Sequence, residues 1–229
     1  MDGILVRLPE IVIQLCAFAL AISVHESAHG LAAERLGDPT ARWLGRITLN
    51  PIAHVDPFGT VLFPLMLAAI GAPVLGWAKP VPFVSRNLRD QRWGPALVAL
   101  AGPGSNLVAA AGVTLALFGL KFVVPEFRPL LVASVNQGAT AGGGVLLPLL
   151  ALLYWLAAIN VVLTVFNLVP VPPLDGSHIL GAALPPRAAW RYEQFRPFGI
   201  FVLFALMWTG LFGHLLRPFL GALSWILLS

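Results

Sequence analysis

Long stretches of the chain carry no Asp, Glu, Lys or Arg, and they recur along its whole length. Residues 11–24 form the first, leading into His25 and Glu26 with a helical pattern that continues to about residue 36. Residues 57–78 form the second, interrupted by Pro64, Gly71 and Pro73. Residues 93–120 form the third. In the fourth, residues 129–174, the run from Asn136-Gln137-Gly138 to Gly142-Gly143-Gly144 reads as a loop, leaving a helix over about 147–168. Residues 197–216 form the fifth, and the pattern leaves open whether Arg217 and Pro218 end it. A helix needs about 20 apolar residues to cross the hydrocarbon core. The first, third, fourth and fifth stretches meet that length. The second does not, because its clean apolar part, residues 61–70, is short and contains a proline.

Two shorter segments read as extended. Residues 41–50 alternate Trp43, Leu44, Ile47 and Leu49 around Gly45 and Arg46, which suits a strand pair or an extended run. Gly76-Trp77-Ala78-Lys79-Pro80-Val81-Pro82-Phe83 has prolines at alternate positions, which forbid a helix and suit an edge strand. The pattern predicts an all-α polytopic membrane protein. It has about 4–5 transmembrane helices, one short re-entrant or interfacial segment and a small β element, in a single domain over residues 1–229.

Composition sharpens that reading. Hydrophobic residues make up 58% of the 229 and charged residues 10%, against about 25% charged in a soluble domain. So few charges cannot cover a water-facing surface, which excludes a soluble globular enzyme, and disordered chains are polar. The single cysteine, Cys16, excludes a disulfide framework and reads as a buried apolar residue of the first helix. The net charge of +4 comes from basic residues in short loops between apolar runs. That is the pattern of a protein in a lipid bilayer, not of a nucleic-acid partner. No small-residue cleavage site follows the first run, so the whole chain is expected to be mature.

Chemistry concentrates in His25-Glu26-Ser27-Ala28-His29, an H-E-x-x-H pattern. Residues i and i+4 share one helix face, so two imidazoles can grip one Zn²⁺ while Glu26 reaches a water beside it. The composition predicts this pattern by chance only ~0.002 times, and ionisable groups inside a membrane are costly unless they function. A catalytic zinc usually takes three protein ligands. The remaining candidates are His54, Asp56, Asp175, His178 and His214. Asp175 directly follows an uncharged run, as a ligand or as a helix N-cap.

These residues resemble the site-2 protease family of intramembrane zinc metalloproteases. The signature pairs H-E-x-x-H with Asn167, Pro170, Pro172, Leu174, Asp175 and Gly176 in the spacing N-x-x-P-x-P-x-L-D-G. The segment Ala101-Gly102-Pro103-Gly104-Ser105-Asn106 also matches, and the likeness is to short bacterial members without a PDZ or CBS domain. The resemblance implies His25, His29 and Asp175 as ligands of one Zn²⁺ per chain, and Glu26 as catalytic acid/base. It implies Asn167 as an oxyanion or substrate-backbone donor, and a transmembrane segment of another protein as substrate. It also implies a membrane-associated β element, for which residues 77–83, with Trp77 and Val81, are the candidate substrate edge; a proline-stiffened loop is the alternative.

One zinc shared by these ligands requires the first and fourth helices to end on the same side. The second segment must then enter and return on one side. Ten basic residues (Arg35, Arg42, Arg46, Lys79, Arg86, Arg89, Arg92, Arg187, Arg191 and Arg196) then lie on the site's side, against Arg7, Lys121 and Arg128 on the other. The positive-inside rule places the site towards the cytoplasmic face, expected to be that of a bacterial inner membrane.

Other polar residues carry open readings. Asn160, Thr164 and Asn167 form one stripe that faces the cavity or bonds between helices. His54 and Asp56 act as ligand, gate or substrate contact, or merely shape a turn between Asn50-Pro51 and Asp56-Pro57. Asn106 lines the site, or its segment only lets a helix pack closely. His178 and His214 read as interfacial. Two rival functions remain: a transporter or channel using buried His and Glu, and an inactive zinc-binding partner of membrane proteins.

Overall fold

The computed structural model describes residues 2–69, 76–136 and 144–229. Ten α-helices follow in order among the described residues: α1 (Asp2–Arg35), α2 (Thr40–Trp43), α3 (Phe63–Ala69), α4 (Gly94–Val123), α5 (Phe127–Asn136), α6 (Leu146–Asn167), α7 (Asp175–Ala183), α8 (Pro186–Phe195), α9 (Gly199–Trp208) and α10 (Leu211–Leu228). Among the described residues, four segments are long and apolar enough to cross a bilayer: Leu8–Arg35, Gly94–Val123, Leu146–Asn167 and Leu211–Leu228.

Helices α1, α4 and α6 pack against one another and form the frame of the molecule. Their contact residues are small: Ala17, Ala21 and Ala33 of α1, Ala99, Gly102 and Ala110 of α4, and Ala157 and Ala158 of α6 are all buried. Lipid removes the hydrophobic drive between helices, so close backbone approach through small residues supplies the association. A separate apolar cluster joins Leu117, Phe127, Leu131, Tyr154 and Leu223, fixing α5 and α10 to the far ends of α4 and α6. There Lys121 donates to Ile226 O (3.2 Å) and Arg128 to Leu228 O (3.1 Å), so two cations satisfy the last carbonyls of α10.

The fifth apolar stretch differs from its predicted form. It breaks at Thr209-Gly210, where Gly210 adopts φ +71° and ends α9, and the spanning piece is α10. A left-handed glycine terminates a helix cheaply, whereas Arg217 and Pro218 sit inside α10 without breaking it. Cys16 lies in α1 as expected, but on an exposed face. In a bilayer an apolar residue has no need of burial.

The predicted β element is not formed: there is no strand among the described residues. Residues 40–43 make one helical turn closed by Gly45 at φ +64°. Residues 76–84 are extended, but side chains and turns occupy their backbone groups instead of a neighbouring strand. Trp77 N–H donates to Gly59 O (3.1 Å), Thr60 Oγ1 to Trp77 O (2.8 Å) and Lys79 N–H to His54 O (3.0 Å). Pro80 and Pro82 have no N–H to offer a ladder.

Those three bonds also locate the second apolar segment. Residues 57–62 form a π-helical turn that runs into α3. The chain entering at residues 54–60 is bonded to the chain leaving at residues 77–79, so both ends lie side by side. Residues 70–75, the rest of the predicted re-entrant segment, lie outside the described residues.

Candidate metal centre

Helix α1 places His25 and His29 one turn apart, with ring centroids 4.6 Å apart and planes at 89°. Their Nε2 atoms are 3.0 Å apart. Asp175 Oδ2 approaches both, at 3.2 Å from His25 Nε2 and 3.4 Å from His29 Nε2. One ligand atom from each of the three residues lies within 4.8 Å of the others.

Glycines permit this approach from two sides. A Cβ on Gly102 of α4 would lie 2.4 Å from His29 Cε1 and 2.6 Å from His25 Cε1, so α4 passes directly over both rings. A Cβ on Gly176 would lie 2.4 Å from Leu168 O, so the chain leaving α6 folds back tightly enough to start α7 beside α1. Asp175 is the first residue of α7 but makes no capping hydrogen bond, so the N-cap reading does not hold. Its carboxylate turns to the imidazoles. At the other end of α7, Arg92 Nε donates to Ala182 O (3.0 Å) and Nη2 to Leu184 O (3.4 Å), anchoring the short helix to the start of α4.

The donor set fits a zinc ion. His29 Nδ1 faces Val98 O at 2.7 Å, and a carbonyl only accepts, so the ring proton sits on Nδ1 and Nε2 presents a lone pair. His25 Nδ1 meets Asn106 Oδ1 at 2.5 Å. Two nitrogen lone pairs and an ionised carboxylate then converge, and Asp175 Oδ2 is buried with no hydrogen-bond partner. Three converging acceptors without a proton between them need a cation, and imidazole with carboxylate suits Zn²⁺.

Glu26, half-buried beside this group, accepts a hydrogen bond from Val81 N–H through Oε2 (2.7 Å). Asn167 ends α6 and donates to Leu163 O (3.0 Å). Thr164 Oγ1 donates to Asn160 O (2.9 Å) and Pro103 O (3.2 Å), joining α6 to α4. Asn106 and Asn160 are fully buried between helices and bond to each other.

His54 is not among the three clustered ligands. It is buried, with Nε2 donating to Thr48 O at 2.8 Å beside Ser27. Asp56 caps the turn at residues 57–62, accepting from Phe58 N–H (3.0 Å) and Gly59 N–H (2.7 Å). Trp77 packs on Phe58 and Phe63, and a Cβ on Gly59 would meet its ring at 2.3 Å. Burial first, and then the Arg196 charge, keep His178 below the ordinary histidine range.

Sequence reasoning missed two anchors of the extended segment. Arg46 donates to Ala53 O, to Lys79 O (2.7 Å) and to Pro80 O (3.2 Å). Asp38, fully buried just past α1, accepts from Val84 N–H (2.6 Å), Asn87 Nδ2 (2.9 Å) and Thr40 Oγ1 (2.6 Å). The only sequence signal was a charge beside turn residues at Gly37-Asp38-Pro39 and Gly45-Arg46.

Residues 13–210 match the peptidase family M50, the site-2 protease family. YwhC of Bacillus subtilis is 35% identical over 216 residues, covering 94% of this chain and 87% of that protein. Rip2 of Mycolicibacterium smegmatis is 24% identical over 198 residues, covering 86% and 67%. Rip2 of Mycobacterium tuberculosis is 27% identical over 196 residues, covering 84% and 66%. All three bear the name "Putative zinc metalloprotease". No solved structure matches the chain. With a two-histidine, one-carboxylate centre held among membrane-length helices, the chain belongs to peptidase family M50 and is a zinc metalloprotease of the membrane.

Proposed function

We propose that this protease, acting as a single domain, hydrolyses peptide bonds within or beside transmembrane segments of other membrane proteins. The observation that carries this reading is the convergence of His25, His29 and Asp175 on one point among membrane-length helices, with Asp175 Oδ2 unpartnered.

His25 and His29 would hold the zinc through Nε2 and Asp175 through a carboxylate oxygen. A zinc bound there lowers the pKa of water to about 7 and polarises a carbonyl. Glu26 takes the proton from the attacking water and returns it to the leaving amine. With Oε2 held by Val81 N–H, Oε1 is the oxygen free for that transfer. The Asn167 amide, at the end of α6, donates to the developing oxyanion once it leaves Leu163 O.

A helical substrate hides its amides in i to i−4 bonds and must unwind before cleavage. Residues 77–83 remain the proposed contact for the unwound segment, with Trp77 and Val81 on its course. A continuous ladder is excluded there, since Val81 N–H serves Glu26 and Pro80 and Pro82 have no donor. His54 is too deeply buried for a direct role and supports the turn that pairs with Lys79.

The second apolar segment enters and returns on one side, a reading supported by the bonding of residues 54–60 to residues 77–79. That topology puts ten basic residues on the side of the metal centre and supports an active site open to the cytoplasmic face of a bacterial inner membrane.

The test is the Glu26→Gln variant in liposomes with a tagged transmembrane substrate. Loss of cleavage with one zinc per chain retained supports the mechanism. Cleavage at the wild-type rate removes Glu26 from it. Zinc measured beside Asp175→Asn and His29→Ala tests the ligands: both should lose it, and retention in Asp175→Asn would exclude that carboxylate.

A further inference from the structure

We propose that a hydrogen-bond relay starting on α6 dictates which nitrogen of His25 faces the metal, with Asn160 and Asn106 as positioning residues. The inference rests on the metal reading above.

The relay consists of four hydrogen bonds, three of them buried and the one to Leu156 O partly buried. Asn160 Nδ2 donates to Leu156 O (2.7 Å). Asn106 Nδ2 donates to Asn160 Oδ1 (2.6 Å) and to Ala21 O (3.1 Å). Asn106 Oδ1 faces His25 Nδ1 at 2.5 Å. Asn106 is 0% and Asn160 1% exposed, so neither amide has water as an alternative partner.

Only one polarity satisfies every member. Leu156 O and Ala21 O are backbone carbonyls and can only accept. The first forces Asn160 to present its NH₂ to α6 and its oxygen to Asn106. The second, with Asn160 Oδ1, forces Asn106 to present its NH₂ away from His25. Flipping either amide sets oxygen against oxygen and leaves a buried donor unpaired, at a cost of about 1–3 kcal/mol per group. Asn106 therefore offers His25 an acceptor, the ring proton sits on Nδ1, and Nε2 is left as a lone pair towards Asp175. Partners of this kind orient a metal-binding imidazole and raise its basicity.

The two histidines differ in how this is arranged. His29 takes its tautomer directly from the Val98 carbonyl, which no side-chain substitution removes. His25 takes it through two replaceable amides. His29 is thus an internal control.

The test uses the full chain in detergent, with Asn106→Leu and Asn160→Leu, volume-conserving changes that remove the amide. Three quantities are read: zinc affinity by chelator competition, the thermal midpoint of the zinc-free protein, and the tautomers of ¹⁵N-labelled histidines. Asn106→Leu is expected to weaken zinc about 10- to 100-fold. Asn160→Leu is expected to weaken it less and to give a mixture of His25 tautomers, because the Asn106 amide can then turn over. His29 should keep its proton on Nδ1 in both. Wild-type affinity and an unchanged His25 tautomer in folded Asn106→Leu would overturn the proposal. So would an affinity loss matched by loss of folded protein with no change in tautomer. A wild type that binds no zinc would instead sink the metal reading, leaving the tautomer measurement to decide the relay.

Discussion

The backbone N–H of Val81 donates to Glu26 Oε2 at 2.7 Å across 55 positions of sequence. The proposed acid/base is therefore aimed by the extended segment at residues 76–84, not by α1 alone. Val81→Pro removes this donor from a segment already extended and flanked by prolines. Charged hydrogen bonds of this kind are worth about 1.5–3 kcal/mol, so kcat should fall roughly 10- to 100-fold. Zinc content should stay at the wild-type level. Unchanged turnover in Val81→Pro would show that Glu26 needs no help from the segment.

Gly102 and Gly104 sit two residues apart in one motif but face different surroundings. A Cβ on Gly102 meets both imidazoles, whereas one on Gly104 meets nothing within 4 Å. Gly102→Ala should strip zinc from the purified protein, and Gly104→Ala should retain it. Metal analysis of the two variants side by side checks this.

Arg46 ties two carbonyls of the extended segment, Lys79 O and Pro80 O, to the Ala53 carbonyl of the preceding turn, and its Nε is buried without a partner. Arg46→Lys keeps the charge but loses the fork that spans two strands of chain. Limited proteolysis within residues 76–84 should speed up in Arg46→Lys and more in Arg46→Ala, while the thermal midpoint falls. Equal protection in all three proteins would discard the clamp.

Asp38 makes stability depend on acid. Burial alone would raise its pKa, but the bonds from Thr40, Asn87 and Val84 outweigh burial and hold the carboxyl below its ordinary value of 3.8. A depressed folded-state pKa means the stabilisation is full above pH 3.8 and fades as pH falls through the lower, folded-state value. The wild-type thermal midpoint should drop on acidification below about pH 4. Asp38→Asn should start lower at neutral pH and lose the part of that slope due to this residue. Parallel curves for the two proteins would refute the assignment.

The spans of α1, α4 and α6 and the pairing of two candidate ligands were legible because they rest on local periodicity. An H-E-x-x-H pattern puts His25 and His29 on one face whatever surrounds the helix, and Asp175 stood out as a charge ending a long uncharged run. The break at Gly210 was not legible, since uninterrupted apolarity on either side of it reads as one helix. Residues 77–83 looked like an edge strand because alternating prolines forbid a helix. Which partner takes the backbone groups of residues 77–84 is set by Arg46, Glu26, His54, Gly59, Thr60 and Asp38, from α1 and several distant turns. The polarity of Asn160, Asn106 and His25 likewise exists only once three helices meet.

Glu26 and His29 lie nine and six residues before Arg35, where α1 ends. At 1.5 Å per residue the chemistry sits roughly 9–14 Å along the helix from that end. Helices α4 and α6 pack against α1, so this distance is built into the fold. Under the proposed cleavage of transmembrane segments, the enzyme would act as a ruler, setting the scissile bond by its distance from the end of α1. Shifting a substrate's helix-breaking residue by one turn should move it in or out of reach even when the residues around the cut are unchanged.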